Sequence, residues 1–588
     1  KGGIINTTAG ATPFYTNISF NPYNISLLSG ESEVITYYVN ATGDGSNTYE
    51  FYAYANITSK PTITNETIRW NVTIQDNSTP SINYSNPITS NGTFKQNYIE
   101  VNVTAIDTHI STIVNYIYNT TGQVNSSSST TSPHFTNFTS LKDGTYYLNS
   151  TATDSAGNAN STTTRIIILD TTPPPMIFPS PTPPNNTRQQ DPYFEVNVSL
   201  KESYLDELIY NWNGINYTMY NDSLVLMLNF DNVSSLGEND THVFDVSGHG
   251  NNGTAVNGSV MNMTGGRYEG AFQFDGVDDY VEFSDIPETN AGTISMWIKP
   301  NATINSSTNI DSGIFIDGDT TNTYGFMRFY DSEGNGSLDF HWLNGTGDGW
   351  TNSSSTTTTW NAGTWYHITG TWNSTSQQLY VNGVLENITT ATNITSADKT
   401  LGVGVSSYGA SYLYFNGTID EFNILNRSLT AEEVSQQYIS NLQRFNSSQW
   451  YLYVNQSKNA TDTLVEGNYT YDIYSSDIYD NSNFSGERLV ILDWTIPTFI
   501  NFTNQSFEHS HYVGYDINAS DLNNISCFSI NDTTKFTINC TGYLANNTAL
   551  LNGKYWLNVT INDSASNNHS DSLWINISDT IPPSFTVI

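Results

Sequence analysis

The chain is poor in positive charge and in long apolar runs, and both shortages exclude classes of function. Its 588 residues include 18 Lys and Arg against 55 Asp and Glu, which gives a formal net charge of −37. Nucleic acids and anionic membrane surfaces bind basic proteins, so we expect neither as a partner. No apolar run approaches the roughly 20 residues of a membrane-spanning helix, so we expect no membrane segment within this chain.

Cysteine is almost absent as well. The two cysteines, Cys527 and Cys540, lie close together near the end of the chain. In a secreted protein such a pair usually forms a disulfide, and closing so short a loop stabilises the fold by about 3 kcal/mol. Two buried free thiols are the alternative. The chain opens with Lys1 and without a signal peptide, so we expect a mature or partial secreted chain.

Asparagine is abundant, and it recurs in one context. About fifty Asn-x-Ser/Thr triplets run through the chain, where random placement would give fewer than about twenty. In alternating stretches such as Val101–Thr104 the Asn and Thr share the face opposite the apolar residues, so a glycan would point to solvent. The alternative is a merely Asn/Thr-rich composition. We predict an extracellular cell-surface glycoprotein with N-linked glycans at Asn6, Asn17, Asn56, Asn71, Asn102, Asn160, Asn197, Asn252, Asn344, Asn373, Asn416, Asn468, Asn501, Asn558 and Asn576.

An internal repeat organises the chain. A Gly-x-Tyr triplet is followed by an Asp, then by an Asn four residues later, and finally by a boundary Asp and a Pro. The three copies are Gly144, Tyr146, Asp154, Asn158 and Asp170; Gly467, Tyr469, Asp477, Asn481 and Asp493; and Gly553, Tyr555, Asp563, Asn567 and Asp579. Alternating runs between these positions predict antiparallel strands joined by polar turns. The Gly-x-Tyr triplet resembles the tyrosine corner of immunoglobulin-like (Ig-like) sandwiches.

The spacing of the boundary acids predicts a nested domain. Asp76, Asp170, Asp493 and Asp579 define two intervals close to the size of one Ig-like sandwich and one far longer interval between them. We therefore expect a module inserted in a loop of the third sandwich, and excision of the module should leave a folded host. The predicted fold is all-β, with Ig-like sandwiches at 1–76, 77–171, 172–221 plus 443–494, and 495–580, a module at 222–442, and at 581–588 the start of a further repeat or an exchanged strand.

The inserted segment resembles the LamG-like jelly rolls of the concanavalin A-like lectin/glucanase superfamily. The resemblance covers most of 222–442 and rests on motifs in the expected order, including Leu224–Asp231, Asp245–Gly253, Phe274–Val281 and Phe415–Phe422. A short helix that starts after Thr430 closes the module, with Thr as N-cap and acids in the first turn.

The resemblance implies one structural calcium ion. The expected ligands are Asp245, Asn251 in the loop that follows it, Asp420 and Asp231, with Glu421 in reserve. The alternative is that these acids cap turns. The sequence lacks the paired carboxylates of glucanases, a His-Glu-x-x-His pair, a nucleophile elbow and a phosphate loop, so we expect no enzyme.

Three functions remain open at this stage. The first is a structural or adhesive role, because the organisation resembles that of archaeal cell-surface glycoproteins: a subunit of a filament, sheath or S-layer-like assembly that self-associates into a polymer or lattice. The second is a carbohydrate-binding adhesin, in which Trp342, Trp350, Trp360 and Tyr324 stack on the rings of a glycan ligand. The third is the binding region of a larger secreted hydrolase. Dense glycosylation favours the first, since sugars hinder a ligand-binding surface.

Overall fold

Short alternating runs of apolar and polar residues form β-strands throughout the chain, and the prediction of an all-β protein is confirmed. The computed structural model describes residues 3–16, 18–42, 47–258, 260–283, 286, 290–308, 311–318, 323–329, 335–342, 352–390, 401–408 and 411–584. Residues 585–588 of the predicted last strand therefore lie outside the described residues. The chain divides into two units, 1–172 and 173–588. No helix in the described ranges is long and apolar enough to cross a membrane.

The first part of unit 1 has paired strands but little interior. Its strands are β1 (Phe14–Thr16), β2 (Val39–Ala41), β3 (Thr48–Phe51), β4 (Tyr54–Ile57), β5 (Lys60–Glu66) and β6 (Trp70–Thr73). They pair as β1 with β2, β3 with β6 and β4 with β5. Phe14 is buried and packs edge-on against Tyr49 and Phe51, with ring centroids 5.0 and 4.5 Å away. The Ig-like sandwich at 1–76 stays a prediction.

The second part of unit 1 contains two facing sheets. Its strands are β7 (Ser81–Tyr84), β8 (Gly92–Phe94), β9 (Ile99–Ile106), β10 (Ile110–Asn119), β11 (Gly122–Ser129), β12 (His134–Phe138), β13 (Gly144–Asp154), β14 (Ala159–Ser161) and β15 (Arg165–Leu169). One sheet has the order β11-β10-β13-β15-β8, with β14 also on β13, and the other has the order β12-β9-β7. Alternate residues of β9 and β13, among them Val101, Val103 and Leu148, form the interior between them.

Unit 2 begins with strands that pair with strands far along the chain. The first group is β16 (Met176–Ile177), β17 (Thr187–Gln189), β18 (Phe194–Lys201), β19 (Leu205–Trp212) and β20 (Ile215–Tyr220), and the later group is β39 (Ser440–Arg444), β40 (Gln449–Gln456), β41 (Gly467–Asp477), β42 (Ser482–Phe484) and β43 (Arg488–Leu492). They form two sheets of order β16-β18-β40-β39 and β17-β43-β41-β19-β20, with β42 on β41. Val196, for example, is opposite Val454 in the antiparallel pair of β18 and β40. We call these ten strands the host.

Between the two groups lies the jelly-roll module. Its strands are β21 (Leu224–Leu228), β22 (His242–Val243), β23 (Gly253–Val256), β24 (Val260–Asn262), β25 (Ala271–Asp275), β26 (Tyr280–Phe283), β27 (Gly292–Pro300), β28 (Ser312–Gly318), β29 (Thr323–Phe329), β30 (Leu338–Trp342), β31 (Ser353–Ser354), β32 (Tyr366–Trp372), β33 (Ser376–Val381), β34 (Val384–Thr390), β35 (Leu401–Val403), β36 (Val405–Tyr408), β37 (Ser411–Tyr414) and β38 (Asn416–Leu425). One sheet has the order β24-β25-β38-β27-β32-β33-β34, with β21 also on β38. The second sheet has the order β22-β23-β26-β35-β28-β29-β30-β31, and β36 pairs with β37.

The helix α1 (Ala431–Tyr438) follows the module. The Thr430 hydroxyl accepts a hydrogen bond from the Glu433 backbone N–H at 3.2 Å, and the Glu433 carboxylate accepts one from the Thr430 N–H at 2.9 Å. This reciprocal capping satisfies two N–H groups that the first turn leaves without helical partners. The helix therefore begins at the residue that the sequence indicates.

The last strands of unit 2 are β44 (Thr498–Asn501), β45 (Gln505–Glu508), β46 (Gly514–Asp516), β47 (Asn518–Ser520), β48 (Ile525–Ile530), β49 (Phe536–Ile538), β50 (Tyr543–Asn546), β51 (Gly553–Asp563) and β52 (Asn568–Ser578). They form sheets of order β45-β52-β51-β48 and β46-β50-β49, and β44 pairs with β47. Cys527 on β48 and Cys540 form the predicted disulfide.

The repeated tyrosines make the same contact in all three copies. The hydroxyl of Tyr146 donates to the carbonyl of the residue four positions earlier at 2.8 Å, and those of Tyr469 and Tyr555 do so at 2.9 Å. This is the hydrogen bond of a tyrosine corner. The tandem Ig-like arrangement and its boundaries remain a proposal, which these bonds support.

The repeated Asp and Asn also act alike. In the turn after β13, Asp154 accepts hydrogen bonds from the backbone N–H of Asn158 at 2.9 Å and from its side-chain amide at 2.8 Å. That amide also donates to the Asp76 carbonyl at 3.0 Å. In unit 2 the amide of Asn567 bridges Asp563 and the Asp493 carbonyl in the same way, at 2.7 and 3.0 Å. The turn thus fixes the chain at the preceding boundary acid.

Candidate functional site

Asp245 organises the loop that follows it. Its Oδ1 accepts hydrogen bonds from the N–H groups of Met227 and Ser247 at 3.1 and 2.9 Å, and its Oδ2 accepts one from Asn251 at 2.9 Å. The Asn251 amide in turn donates to the Val225 carbonyl at 2.8 Å. The buried carboxylate therefore holds residues 245–252 against β21 through backbone donors.

A β-bulge on β38 brings two further acids into the interior. Trp297 is opposite Asp420 and Ser295 is opposite Asn423, so β38 has one residue more than β27 over this stretch. Glu421 takes up the extra length with a φ of 50°, which is uncommon for a residue with a side chain. Bulges break the alternation of side chains, so Asp420 and Glu421 are both buried.

Each of these acids accepts hydrogen bonds from different donors. Asp420 Oδ2 accepts from the N–H groups of Arg267 and Tyr268 at 2.7 and 3.1 Å. The oxygens of Glu421 accept from the side-chain amides of Asn229 and Asn441 at 2.6 and 2.8 Å. Because Asn441 lies on host strand β39, Glu421 joins the module to the host.

Asp231 lies near this pair and shares its electrostatics. Its carboxylate accepts from the Gly270 N–H at 2.9 Å and from the Gln443 amide at 3.3 Å. Burial, together with the charges of Glu238 and Glu269, raises the pKa of Asp231 to about 7. Burial and the neighbouring acids also hold the pKa of Asp420 and of Glu421 well above the usual range. Asp231 can therefore hold a proton near neutral pH.

The four predicted calcium ligands are held by separate sets of donors. Asp245 accepts from the N–H of Asn251, whereas Asp231 and Asp420 influence each other only through their charges and accept from other groups. Among the described residues, no three acid or histidine ligand atoms within 4.8 Å of one another include Asp231, Asp245 or Asp420. Their oxygens face N–H donors, whereas calcium needs six to eight oxygen ligands at one point. A single ion held by all four residues does not fit this arrangement. Calcium binding by the module stays a prediction.

Two of the aromatic residues predicted to contact sugar are part of the interior. Trp360 is fully buried, and its indole N–H donates to the Gly336 carbonyl at 3.1 Å. Trp342 is buried and stacks on Trp372 with ring centroids 4.0 Å apart. Sugar stacking on Trp342 and Trp360 is therefore wrong, because both side chains are on the inner faces of the module's sheets. Trp350 and the side chain of Tyr324 lie outside the described residues.

The opposite face of β29 and β30 carries a row that the sequence analysis missed. Phe326 is opposite His341, and Arg328 is opposite Asp339. The Phe326 and His341 rings stack 5.0 Å apart, and the Arg328 guanidinium is 4.0 Å from the Phe326 centroid. We call these four buried residues the polar row. The signal was present in the alternation Phe326-Met-Arg328 and Asp339-Phe-His341, which places polar groups on the face away from the core.

A small cavity lies where the host meets the module. It has a volume of about 70 Å³, and its lining includes Tyr220 of the host and Trp297 and His367 of the module. Pockets for small ligands are typically about 300 Å³ or larger, so this cavity is too small for a sugar ring. Burial, with a contribution from the Arg267 charge, lowers the pKa of His367 to about 3. His367 is therefore neutral at physiological pH.

The predicted glycosylation sites differ in exposure. Exposed side chains are those of Asn6, Asn56, Asn71, Asn160, Asn252, Asn416, Asn468 and Asn558, and half-buried ones are those of Asn102, Asn373, Asn501 and Asn576. Asn17 and Asn344 lie outside the described residues. Asn197 is only 3 % exposed, so the prediction of a glycan on the folded surface is wrong at this position.

Solved structures that resemble parts of the chain include the following three. The first is domain 4 of an extracellular GH43 arabinanase from Geobacillus stearothermophilus, in complex with arabinotriose. It is 20% identical in sequence, the match covers 36% of this chain and 96% of that domain, and the TM-score is 0.29. The second is the binding domain of Paraclostridial Mosquitocidal Protein 1. It is 16% identical, the match covers 59% of this chain and 89% of that domain, and the TM-score is 0.31. The third is the botulinum neurotoxin serotype D ligand-binding domain in complex with N-acetylneuraminic acid. It is 14% identical, the match covers 62% of this chain and 98% of that domain, and the TM-score is 0.28.

No curated protein matches the chain significantly. Residues 275–435, however, match the model of a family described as the concanavalin A-like lectin/glucanases superfamily. The prediction of a LamG-like jelly roll is therefore confirmed for residues 275–435.

Proposed function

We propose that this protein is a non-enzymatic, N-glycosylated extracellular surface protein with a structural or adhesive role. The observation that supports the proposal best is the exposure of acceptor asparagines in both units, from Asn6 and Asn160 to Asn252, Asn468 and Asn558. A glycan can be attached and retained only where the acceptor reaches solvent. Sugars on so many strands and turns would hydrate a chain that has only 12% charged residues.

The packing within unit 2 suits a protein that presents a module rigidly. One apolar cluster contains host residues such as Trp450 and Ile473 together with module residues such as Met227 and Leu425. The module is therefore packed into its host rather than carried on a flexible linker. In an assembly, such a module would keep a fixed orientation at the surface.

Glycopeptide mass spectrometry and electron microscopy of the native protein test this proposal. We expect glycans on most exposed acceptors and ordered filaments, sheaths or lattices in the micrographs. Fewer than about ten occupied sites would contradict the glycan coat. A native protein that stays monomeric at high concentration would contradict the assembly role.

Carbohydrate binding by the module is the second candidate. It is favoured by the family match at 275–435, whose superfamily includes lectins. A glycan array probed with the deglycosylated chain tests it. Binding to particular glycans on the array would favour this function, and binding to none would contradict it.

A further inference from the structure

Three aspartates meet at one point in unit 2, outside the module. Asp493 directly follows β43, Asp521 directly follows β47, and Asp563 ends β51. One carboxylate oxygen of each lies within 4.8 Å of the other two. Two of these residues, Asp493 and Asp563, occupy conserved positions of the internal repeat within this chain, so the repeat places two of the three carboxylates side by side.

The backbone around the three carboxylates is firmly held. Asp563 Oδ1 accepts hydrogen bonds from the N–H groups of Ala565 and Asn567, both at 2.8 Å. The Asn567 amide donates to Asp563 Oδ2 and to the Asp493 carbonyl. Asp521 Oδ1 accepts from the Asn523 N–H at 2.8 Å, which caps the turn after β47. The three carboxylates are thus held in place by turns.

Two of the carboxylate oxygens have no hydrogen-bond donor among the described residues. Asp493 is 0 % exposed, and its Oδ2 accepts no hydrogen bond from the described residues. Asp521 Oδ2 is likewise buried and accepts none from them. Nor does any of the three carboxylates form a salt bridge with a described Lys, Arg or His. Burying carboxylate charge without a compensating partner costs several kcal/mol, on the order of the whole stability of a domain.

The pKa of Asp493 also reflects the lack of a positive partner for these carboxylates in the described part of the chain. Burial raises the pKa of Asp493, the Asn523 side chain opposes this shift, and the charges of Asp521 and Asp563 raise the pKa further. A positive charge placed among the three carboxylates would remove both the repulsion and the unmet hydrogen bonding.

We propose that Asp493, Asp521 and Asp563 bind a divalent metal cation, and that the cation is calcium. All three side chains offer carboxylate oxygen, and neither His nor Cys takes part, which favours a hard cation over zinc. The ion joins the chain after β43 to the ends of β47 and β51. It therefore fixes the path of residues 493–497, which lead from the host into the last group of strands.

A related cluster in unit 1 shows that the repeat favours such meeting points. Ligand atoms of Asp76, Asp107 and His109 also lie within 4.8 Å of one another. Asp76 is a boundary acid like Asp493, and Asp107 follows β9 as Asp521 follows β47. All three unit 1 residues are half-buried, whereas Asp493 is fully buried. We therefore restrict the proposal to unit 2.

Hydrogen exchange of the full chain, in saturating CaCl2 or in EDTA, tests the proposal segment by segment. We expect exchange in 493–497 and 518–523 to slow about tenfold when free calcium is about ten times the dissociation constant. Asp493→Asn should abolish this calcium effect, and in EDTA it should match or exceed the wild-type protection because a repulsive charge is gone. Asp532→Asn is the control, since Asp532 caps an exposed turn beside Lys535.

Asp521→Asn is a second variant, for the case that Asp493→Asn does not fold. Its side-chain oxygen can still accept the hydrogen bond from the Asn523 N–H that caps the turn. This variant should lose the calcium effect in the same two segments. Wild-type exchange that is equal in calcium and EDTA would overturn the proposal. So would a full calcium effect in either folded variant.

Discussion

Glu421 of the module and Asn441 of the host are joined by a buried hydrogen bond of 2.8 Å. The other Glu421 oxygen accepts from Asn229 at 2.6 Å, and the Asn229 amide also donates to the Leu442 carbonyl at 3.0 Å. The bulge on β38 makes the bond possible, because it turns Glu421 out of register with its neighbours. The side chain of Glu421, at a strained backbone position, thus connects the module to the host.

We expect Glu421→Gln to destabilise unit 2 by about 1–3 kcal/mol. A glutamine offers one acceptor oxygen where two amides need one each, so either Asn229 or Asn441 is left facing another NH2 group. Urea unfolding followed by circular dichroism measures the loss. Glu487→Gln, at an exposed position, should change the unfolding free energy by less than about 0.5 kcal/mol. Equal effects of the two substitutions would contradict the role of Glu421.

His367 should make the stability of unit 2 depend on pH. Its pKa is lowered to about 3 in the folded chain, against an ordinary value of 6.5. A lowered histidine pKa means that the unfolded chain binds the proton more tightly. The contribution is therefore fully present above pH 6.5 and is lost as the pH falls toward 3, by at most about 1.4 kcal/mol per pH unit.

The variant His367→Gln isolates this contribution from other titrating groups. Glutamine can keep a hydrogen bond to Ser295, whose hydroxyl is 3.0 Å from His367 Nε2. We expect the difference in unfolding free energy between wild type and variant to shrink as the pH falls from 6.5 to 4. A difference that is constant over this range would show that His367 is charged in the folded state.

Glycan occupancy should follow exposure rather than sequence context. We expect Asn252, Asn468 and Asn558 to be occupied, and Asn197 to be unoccupied in the folded protein. All four stand in valid acceptor triplets, so the triplet itself does not distinguish them. Site-resolved glycopeptide mass spectrometry decides the matter. Substantial occupancy at Asn197 would mean that the glycan is attached before β18 pairs.

Asn197 also shows where sequence reasoning stops. Alternation around Val196 and Val198 correctly predicts that Asn197 is on the opposite side of the strand from these apolar neighbours. The backbone N–H of Asn197 donates to the Thr182 hydroxyl at 2.7 Å, and that hydroxyl donates to the Asn197 carbonyl at 3.0 Å. A segment fifteen residues earlier therefore lies against this strand, and no local pattern indicates it.

The features that were predictable depend on spacing within the chain. Repeat intervals predicted a break in the third repeat, and the pairing of Val196 with Val454 supports this prediction. The triplet of Gly and Tyr predicted the hydrogen bonds of Tyr146, Tyr469 and Tyr555. The bulge at Glu421 and the meeting of Asp493 with Asp521 were not predictable, because they depend on which strands become neighbours in space.

The disulfide should contribute measurably to the last group of strands. Cys527 and Cys540 enclose a loop with a sequence separation of 13 residues. Substituting both by Ser should destabilise this part of unit 2 by about 3 kcal/mol in the chain-entropy model. Thermal unfolding with and without a reductant checks the value. A reductant that shifts the wild-type transition but not that of the double variant would assign the effect to this bond.

Excision of the module tests how far the host can fold alone. The nested-repeat hypothesis expects a folded host after deletion of 222–442. Because residues 440–442 belong to host strand β39, the excision is made at 222–439, so that the host keeps all its strands. The structure argues for a different outcome, because the host shares one apolar cluster with the module. Seven fully or nearly fully buried side chains of the excised segment belong to that cluster: Leu224, Met227, Val246, Tyr380, Leu425, Leu429 and Val434.

Deleting those side chains would expose the host residues that they cover, and each large buried apolar side chain contributes about 1.5–3 kcal/mol. Seven such side chains together contribute about 10–20 kcal/mol, which is comparable with the roughly 5–15 kcal/mol that stabilises a typical domain. We therefore expect the excised host to lose cooperative unfolding and to expose apolar surface. Near-ultraviolet circular dichroism and binding of a hydrophobic dye measure both properties. A host that unfolds cooperatively and binds no dye would show that its two sheets are sufficient without the module.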